Sequence, residues 1–368
     1  MTELSSASVG RADPPLRSAW QEPARGGYPD PALFGLSGRD QLQAMLAGQA
    51  PQPPMSRLTG LRLSAVGEGI AAFQMPLSQW LASSAGTISV GPIAIPADAA
   101  VACAIQTALP AATPFSTSEL SLRLLSPIRP GGTLTATGRL IALEPTIGLA
   151  EVTVTDEDGR LLAHGSSMCF LQAPLSPAPV PPSLPAEPRP EGHEEQDRDP
   201  DPHLRPARGL VLSKEVRQAR GGLEVLRAQL NGSLPLPPIH HLTGLIVQEA
   251  APGRARFSMP SSEWFCAPAA GRVQGGFVAL LADAALSGAI ATRLPAGTTL
   301  SLVDLKVNYL RPLRADGRIA HASGKVVHIG RRTAVATAEV HDGDGRPVAL
   351  ATGSALVLTD SPATHPAA

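Results

Sequence analysis

The chain has 368 residues, 43% of them hydrophobic, with 30 basic and 31 acidic residues and a formal net charge of −1. That length suggests two domains, and so even a charge balance gives no electrostatic reason to expect nucleic acid or an anionic membrane surface as partner. The three cysteines, Cys103, Cys169 and Cys266, stand far apart without a CxxC, which fits neither a disulfide framework nor a zinc site and reads as small buried hydrophobes in a reducing compartment.

Residues 1–34 lack an apolar segment of the signal-peptide type and are expected to be a disordered tail. No apolar run reaches the ~20 residues of a membrane helix, so no membrane partner and a cytoplasmic location are expected. A short amphipathic helix follows around Leu42, Met45 and Leu46, then a Pro-rich turn and a strand pair that ends near Trp80. Next comes a long apolar helix that carries Asp98, with Pro96 expected to kink it close by. Strands read from alternation complete the segment, the last a hairpin turned at Asp158-Gly159. Residues 173–207 hold eleven prolines, mixed charges and almost no large apolar residue, and are expected to be a semi-extended linker. The order then repeats: a helix with Leu223, Leu226 and Leu230, a strand pair ending near Trp264, the apolar helical run "GRVQGGFVALLADAALSGAI" (271–290) and further strands. The last hairpin turns at Asp344-Gly345, and residues 362–368 form a second disordered tail.

The similarity is in the letters as well as the order. "LQAMLAGQAPQPPMSRLTGL" (42–61) lies over "LRAQLNGSLPLPPIHHLTGL" (226–245) at an offset of 184, and "FQMPLSQWL" over "FSMPSSEWF" at the same offset. After a one-residue insertion, "GTISVGPIAIPADAAVACAI" (86–105) lies over 271–290, so Asp98 falls on Asp283. Colinear similarity of this length points to a duplicated domain, with copies at 35–172 and 208–361. A helix that is apolar all round must be covered on most sides. The expected fold is α+β, with two curved antiparallel sheets, each wrapped around its long central helix and joined edge to edge, which removes two exposed edges.

A carboxylate in such a helix is costly to desolvate and needs a partner or a task. The bland reading of Asp98 and Asp283 is a structural acid capping neighbouring backbone. The bland reading of Gly275-Gly276 is close packing, and that of Trp80 and Trp264 is core. His240-His241 has no other ligands nearby in sequence, so no metal is assigned. P-loop, GxGxxG, HExxH and GxSxG motifs are absent.

The element order, with "GRVQGGFVALLADAALSGA", "VDLKVNYLRP" and "VVHIGRRTA", resembles the hotdog-fold thioesterases, and most closely the PaaI-like acyl-CoA thioesterases of the 4-hydroxybenzoyl-CoA thioesterase superfamily. The likeness covers most of 208–360 and, more weakly, 36–172. It implies a double hotdog, an intramolecular pseudo-dimer of the pair that single-hotdog members build from two chains. It also implies hydrolysis of an acyl-CoA thioester to free acid and CoA without a cofactor, and further association into a homo-oligomer. The family pattern is His-Gly-Gly followed by Asp; here Gln274-Gly275-Gly276 and Asp283 occupy those positions. The His is missing, Pro268 stands where an Asn is usual, and the first copy departs further with Ser89-Val90-Gly91-Pro92 before Asp98.

Thioester hydrolysis needs a base or nucleophile and donors for the oxyanion. A poorly hydrated Asp supplies the first and the unpaired amides of a helix N-terminus the second. Gly275 and Asp283 are ~12 Å apart along one helix, too far to serve one carbon. If the two long helices pack antiparallel, each site takes its acid from one copy and its amides from the other. The first site then joins Asp98 with Gln274, Gly275 and Gly276, and Thr117, at a position where the family often carries Ser or Thr, could assist. The second joins Asp283 with Val90 and Gly91, but has Leu302 in place of the hydroxyl and Pro92, which lacks an N–H, in its first turn. The first site is expected to be the active one. Arg331 and Arg332 stand where the family often presents basic residues to the phosphates of CoA, and the first copy has none there; Arg311 and Arg314 are weaker candidates. Competing readings are a non-catalytic acyl-CoA-binding or scaffold protein and a hotdog enoyl-CoA hydratase, whose closely spaced Asp and His are not evident.

Overall fold

The computed structural model describes residues 18–176 and 200–359. In chain order the first half contains α1 (Gly38–Leu46), α2 (Pro54–Thr59), β1 (Arg62–Gly67), β2 (Ile70–Pro76), α3 (Val90–Gln106), β3 (Phe115–Leu124), β4 (Thr133–Leu143), β5 (Ile147–Thr155) and β6 (Leu161–Leu171). The second contains α4 (Lys214–Ala219), α5 (Gly222–Leu230), α6 (Pro238–Thr243), β7 (Ile246–Ala251), β8 (Arg254–Pro260), α7 (Gly275–Ala291), β9 (Thr298–Tyr309), β10 (Ile319–Ile329), β11 (Thr333–His341) and β12 (Pro347–Thr359). The stretches expected to be Pro-rich turns are the short helices α2 and α6. A proline stands at the first position of each, where a missing N–H is harmless, and Gly60 and Gly244 close them in the left-handed conformation.

The twelve strands of the described residues form one sheet, in the order β1-β2-β4-β5-β6-β3-β9-β12-β11-β10-β8-β7. The two expected sheets are therefore halves of a single surface, joined where β3 pairs antiparallel with β9, Glu119 opposite Asn308 and Arg123 opposite Asp304. That seam satisfies the edge groups that either half would otherwise expose. In each half the strands present apolar side chains inward: Leu120, Leu122, Val152 and Val154 in the first, Leu305, Val307, Ala336 and Val340 in the second. Helix α3 packs on β2 to β6 and α7 on β8 to β12, and the two helices also pack on each other. Helix α3 continues unbroken through Pro96.

The helices are antiparallel and close. A Cβ on Gly276 would stand 2.5 Å from the Cα of Ile95 and 2.6 Å from the carbonyl oxygen of Ala94, and one on Gly91 would stand 3.0 Å from the Cα of Leu280. Each N-terminus thus lies against the middle of the other helix, and only glycine permits this approach at the crossing points.

The segments before each repeat depart from expectation. Residues 18–34, expected to be a disordered tail, contain the 3₁₀ turns Ala19–Gln21 and Pro31–Gly35, and Ala19 is buried. Residues 200–207, expected to be part of the linker, contain the turn Pro202–Leu204. Each segment crosses to a tryptophan: Trp264 Nε1 donates to Glu22 O at 2.9 Å and Trp80 Nε1 to Arg205 O at 3.0 Å. Both indoles are buried and need an acceptor. Arg205 Nη1 donates to both carboxylate oxygens of Glu22, at 2.6 and 2.8 Å, and ties the two segments together. Low apolar content argues against independent folding, but these segments are ordered by the polar needs of the core that they cover. The rest of the expected tails and linker, at 1–17, 177–199 and 360–368, lies outside the described residues.

Candidate active site

Asp98 sits two turns into α3 and is 4% exposed. Its carboxylate faces the start of α7. Gln274, the residue that precedes that helix, donates from Nε2 to Asp98 Oδ2 at 2.7 Å, and the same Nε2 donates to Ile95 O at 3.1 Å. The backbone amides of Gly275 and Gly276 lie beside the carboxylate and lower its pKa, and a Cβ on Gly275 would stand 3.0 Å from Asp98 Oδ2. From the sheet, Thr117 Oγ1 donates to Asp98 Oδ1 at 3.2 Å. The structure therefore brings Asp98, Gln274, Gly275, Gly276 and Thr117 together, from both halves of the chain.

Burial raises the Asp98 pKa from 3.8 to about 6, against the lowering effect of Thr117 and of the Gly276 and Gly275 amides. The carboxylate thus changes charge close to neutral pH while fixed donors hold it. Gln274 Oε1 is buried and has no donor among the described residues, so one acceptor at this site is still to be satisfied.

Three groups not expected from sequence complete the surroundings. Tyr309, at the end of β9, donates its hydroxyl to Gly275 O at 2.9 Å. Cys169 on β6 places its sulfur 4.0 Å from Thr117 Oγ1, and Cys103 lies further along α3; both thiols are raised to about 12, chiefly by burial and then by the nearby Asp98. Tyr309 had a signal in the repeat: its counterpart in the first copy is Leu124. A groove of about 510 Å³ lies on the seam, lined by Ser118, Glu119, Met168, Phe170, Asn308 and Tyr309 among others.

The second acid is held differently. Asp283 is 2% exposed, and its Oδ2 accepts from Ser89 Oγ at 2.5 Å and from the Gly91 amide at 3.1 Å, while Oδ1 accepts from Ser287 Oγ at 3.1 Å. Its pKa is raised by burial. Ser89 and Gly91 meet this carboxylate, and among the contacts described Val90, which was expected to, contributes no donor. Leu302 and Leu124 occupy the places that Thr117 and Tyr309 hold at the first site. The two clusters share a backbone and differ in chemistry.

Arg331 and Arg332 lie in the exposed turn between β10 and β11. Through the register Ala334–Ala355–Leu302 that turn stands at the Leu302 end of β9. Tyr309 is at the other end, seven residues or ~23 Å along the strand. The structure does not bring these arginines to the Asp98 cluster.

Two crossed helices under one continuous sheet, each lending its amides to the other's acid, define a tandem hotdog architecture. The model of the thioesterase superfamily matches the chain twice, at residues 85–163 and 270–349, once over each long helix and the strands after it. A Halobacterium salinarum protein named "Putative esterase" is 34% identical over 125 residues, which is 32% of this chain and 82% of that protein. Among solved structures, the tesB protein of Mycobacterium avium subs paratuberculosis aligns with a TM-score of 0.50 and 15% identity, covering 83% of this chain and 98% of its own. Acyl-CoA thioesterase II TesB2 of Mycobacterium marinum aligns with a TM-score of 0.47 and 12% identity, covering 83% and 99%. The chain belongs to the thioesterase superfamily, and it carries that superfamily's hotdog fold in tandem. Among the described residues no helix is long and apolar enough to cross a membrane.

Proposed function

We propose that the protein hydrolyses an acyl-CoA thioester to a free acid and CoA, at one composite site centred on Asp98. The observation that carries this reading is a buried carboxylate held at a helix N-terminus by Gln274 at 2.7 Å and Thr117 at 3.2 Å, with burial raising its pKa to about 6. In its ionised form Asp98 takes a proton from water as the water attacks the thioester carbon. Gln274 Oε1, a buried acceptor in need of a donor, holds the second proton of that water. The Gly275 and Gly276 amides and the Gln274 amide group then stabilise the oxyanion, sharing it with the carboxylate they already face. Collapse of the tetrahedral intermediate expels the CoA thiolate, which takes up the proton. Asp98 could also attack the carbon directly, and oxygen-18 incorporation under single turnover separates the two routes.

On this reading the duplicated halves are a pseudo-dimer in which each half-sheet serves one central helix, with domains at 35–172 and 208–361, and one site retains a full polar set. Arg331 and Arg332 are proposed as contacts for the phosphates of CoA, at the end of the ligand remote from the thioester. A cytoplasmic location belongs to the same proposal and rests on three cysteines present as free thiols. Association into a homo-oligomer of double hotdogs is proposed on the resemblance alone.

A second reading has its own observation in support. Both carboxylates already accept hydrogen bonds from protein donors, as structural caps would, which suits an acyl-CoA binder that does not hydrolyse. A panel of short, medium and aromatic acyl-CoAs separates the two. Release of free thiol from any member, lost in Asp98→Asn, supports hydrolysis, and saturable binding without release across the panel overturns it.

A further inference from the structure

We propose that Tyr309 is a positioning residue of the Asp98 site, acting through the Gly275–Gly276 peptide to strengthen the N–H that faces the carboxylate and the reacting oxygen. The chain of contacts is continuous. The Tyr309 hydroxyl donates to Gly275 O at 2.9 Å, that carbonyl shares its peptide with the Gly276 N–H, and that N–H lies beside Asp98 and lowers its pKa. A donor on a peptide oxygen draws electron density from the nitrogen and makes its N–H a better donor, so hydrogen bonds in series strengthen one another. The phenol is suited to this: burial first, then Asp98 and Glu119, raise its pKa well above the usual value, so it remains a donor. Its ring also bounds the space over Gly275, where an added Cβ would lie 3.2 Å from the ring and 3.0 Å from Asp98 Oδ2.

The pseudo-equivalent position is a leucine, so Asp283 faces a Gly91 amide without this support. The sequence difference between the two halves thus includes the group that tunes the amide as well as the groups that touch the acid. Around Asp98 the other groups that bear on its charge are Thr117 on β3, Cys169 on β6, Cys103 on α3 and Gln274 ahead of α7. Behind Tyr309 stand Glu119 and Lys306, 3.9 Å apart.

The inference rests on the hydrolase reading for its kinetic test only. Tyr309→Phe removes the hydroxyl and keeps the ring. For an acyl-CoA that the parent hydrolyses, kcat should fall about two- to eightfold, as expected if a 10–30% change in one bond is applied to a donor worth ~10²–10³-fold. KM should stay unchanged. The titration of Asp98, followed by difference infrared spectroscopy with Asp98→Asn as the blank, should move to higher pH, because a weaker N–H stabilises the carboxylate less. The reverse perturbation is also available, since the chain has only two tyrosines, Tyr28 and Tyr309. Difluorotyrosine incorporated in a Tyr28→Phe background makes the phenol a stronger donor and should move the titration down, which keeps the test open if Tyr309→Phe folds poorly.

An Asp98 titration that ignores both changes overturns the proposal, and so does a loss expressed only in KM. Opposite shifts from the two changes support it. If the parent releases no thiol from any acyl-CoA, the hydrolase reading fails while the infrared titration still decides the role of Tyr309.

Discussion

Asp98→Asn should lower activity by orders of magnitude and make the protein more stable at neutral pH. In the folded protein the carboxyl pKa is about 6, against 3.8 when unperturbed. A folded-state pKa raised above the unfolded value means that the protonated acid stabilises the fold. That contribution is fully present below pH 3.8 and is lost as pH rises through about 6. At pH 7.5 the folded protein holds a buried charge at a cost of about 3 kcal/mol, since each tenfold change in proton affinity is worth ~1.4 kcal/mol. Asparagine keeps the shape without the charge: its oxygen can face the Gln274 and Gly276 donors, and its NH₂ can donate to Thr117, whose hydroxyl also accepts. Urea unfolding of parent and variant at pH 7.5 and pH 4 should therefore show a gain of up to about 3 kcal/mol at the higher pH and little gain at the lower. In parallel, kcat for thiol release should fall about 10²–10⁴-fold, the usual contribution of a general base. A variant that is less stable than the parent by the same margin at both pH values refutes the reasoning, since it assigns the side chain a purely structural cap. So does one that retains full activity.

Thiol release by the parent should lose its rate on the acid side with a midpoint near pH 6, where Asp98 protonates, and Thr117→Val should move that midpoint up because the hydroxyl lowers the Asp98 pKa. Gly276→Ala should cost about 1–3 kcal/mol in thermal or urea unfolding, because its methyl would meet Ile95 Cα at 2.5 Å and push the helices apart. Deletion of residues 1–34 should destabilise the chain by about 1–3 kcal/mol, by leaving the Trp264 indole N–H buried without Glu22 O; a melting temperature equal to the parent's contradicts the ordering role given to that segment. Arg331→Ala with Arg332→Ala should raise KM for acyl-CoA and leave kcat unchanged; an unchanged KM removes them as phosphate contacts.

Much of the architecture was legible because duplication supplied an internal comparison. Asp98 and Asp283 stand out as the same polar letter at the same place in two apolar helices, and an axial spacing of ~12 Å between Gly275 and Asp283 rules out a site built on one helix. Antiparallel packing of α3 and α7 was the condition under which those two facts make a composite site, and the contacts at Gly276 and Gly91 meet it. Other features needed coordinates. Tyr309 acts through a carbonyl of another element, and no local spacing records such a contact. Cys169 reaches Thr117 only across the β3–β6 pairing. The reach of Arg331 and Arg332 depends on strand register, which places them beside Leu302. The order of segments 18–34 and 200–207 was not legible because composition reports what a stretch can bury for itself, whereas these are held by Trp264 and Trp80. Ser89, which reads in the sequence as a departure from the family pattern, gives Asp283 its shortest contact at 2.5 Å.

A comparison of Asp98→Asn with Asp283→Asn in thiol release from the best acyl-CoA of the panel tests the single Asp98 site most directly. Asp98→Asn should lose at least about 10²-fold, and Asp283→Asn should change only slightly. Equal activity of the two variants, or a greater loss at Asp283, would contradict a single working site formed by the acid of the first half and the amides of the second.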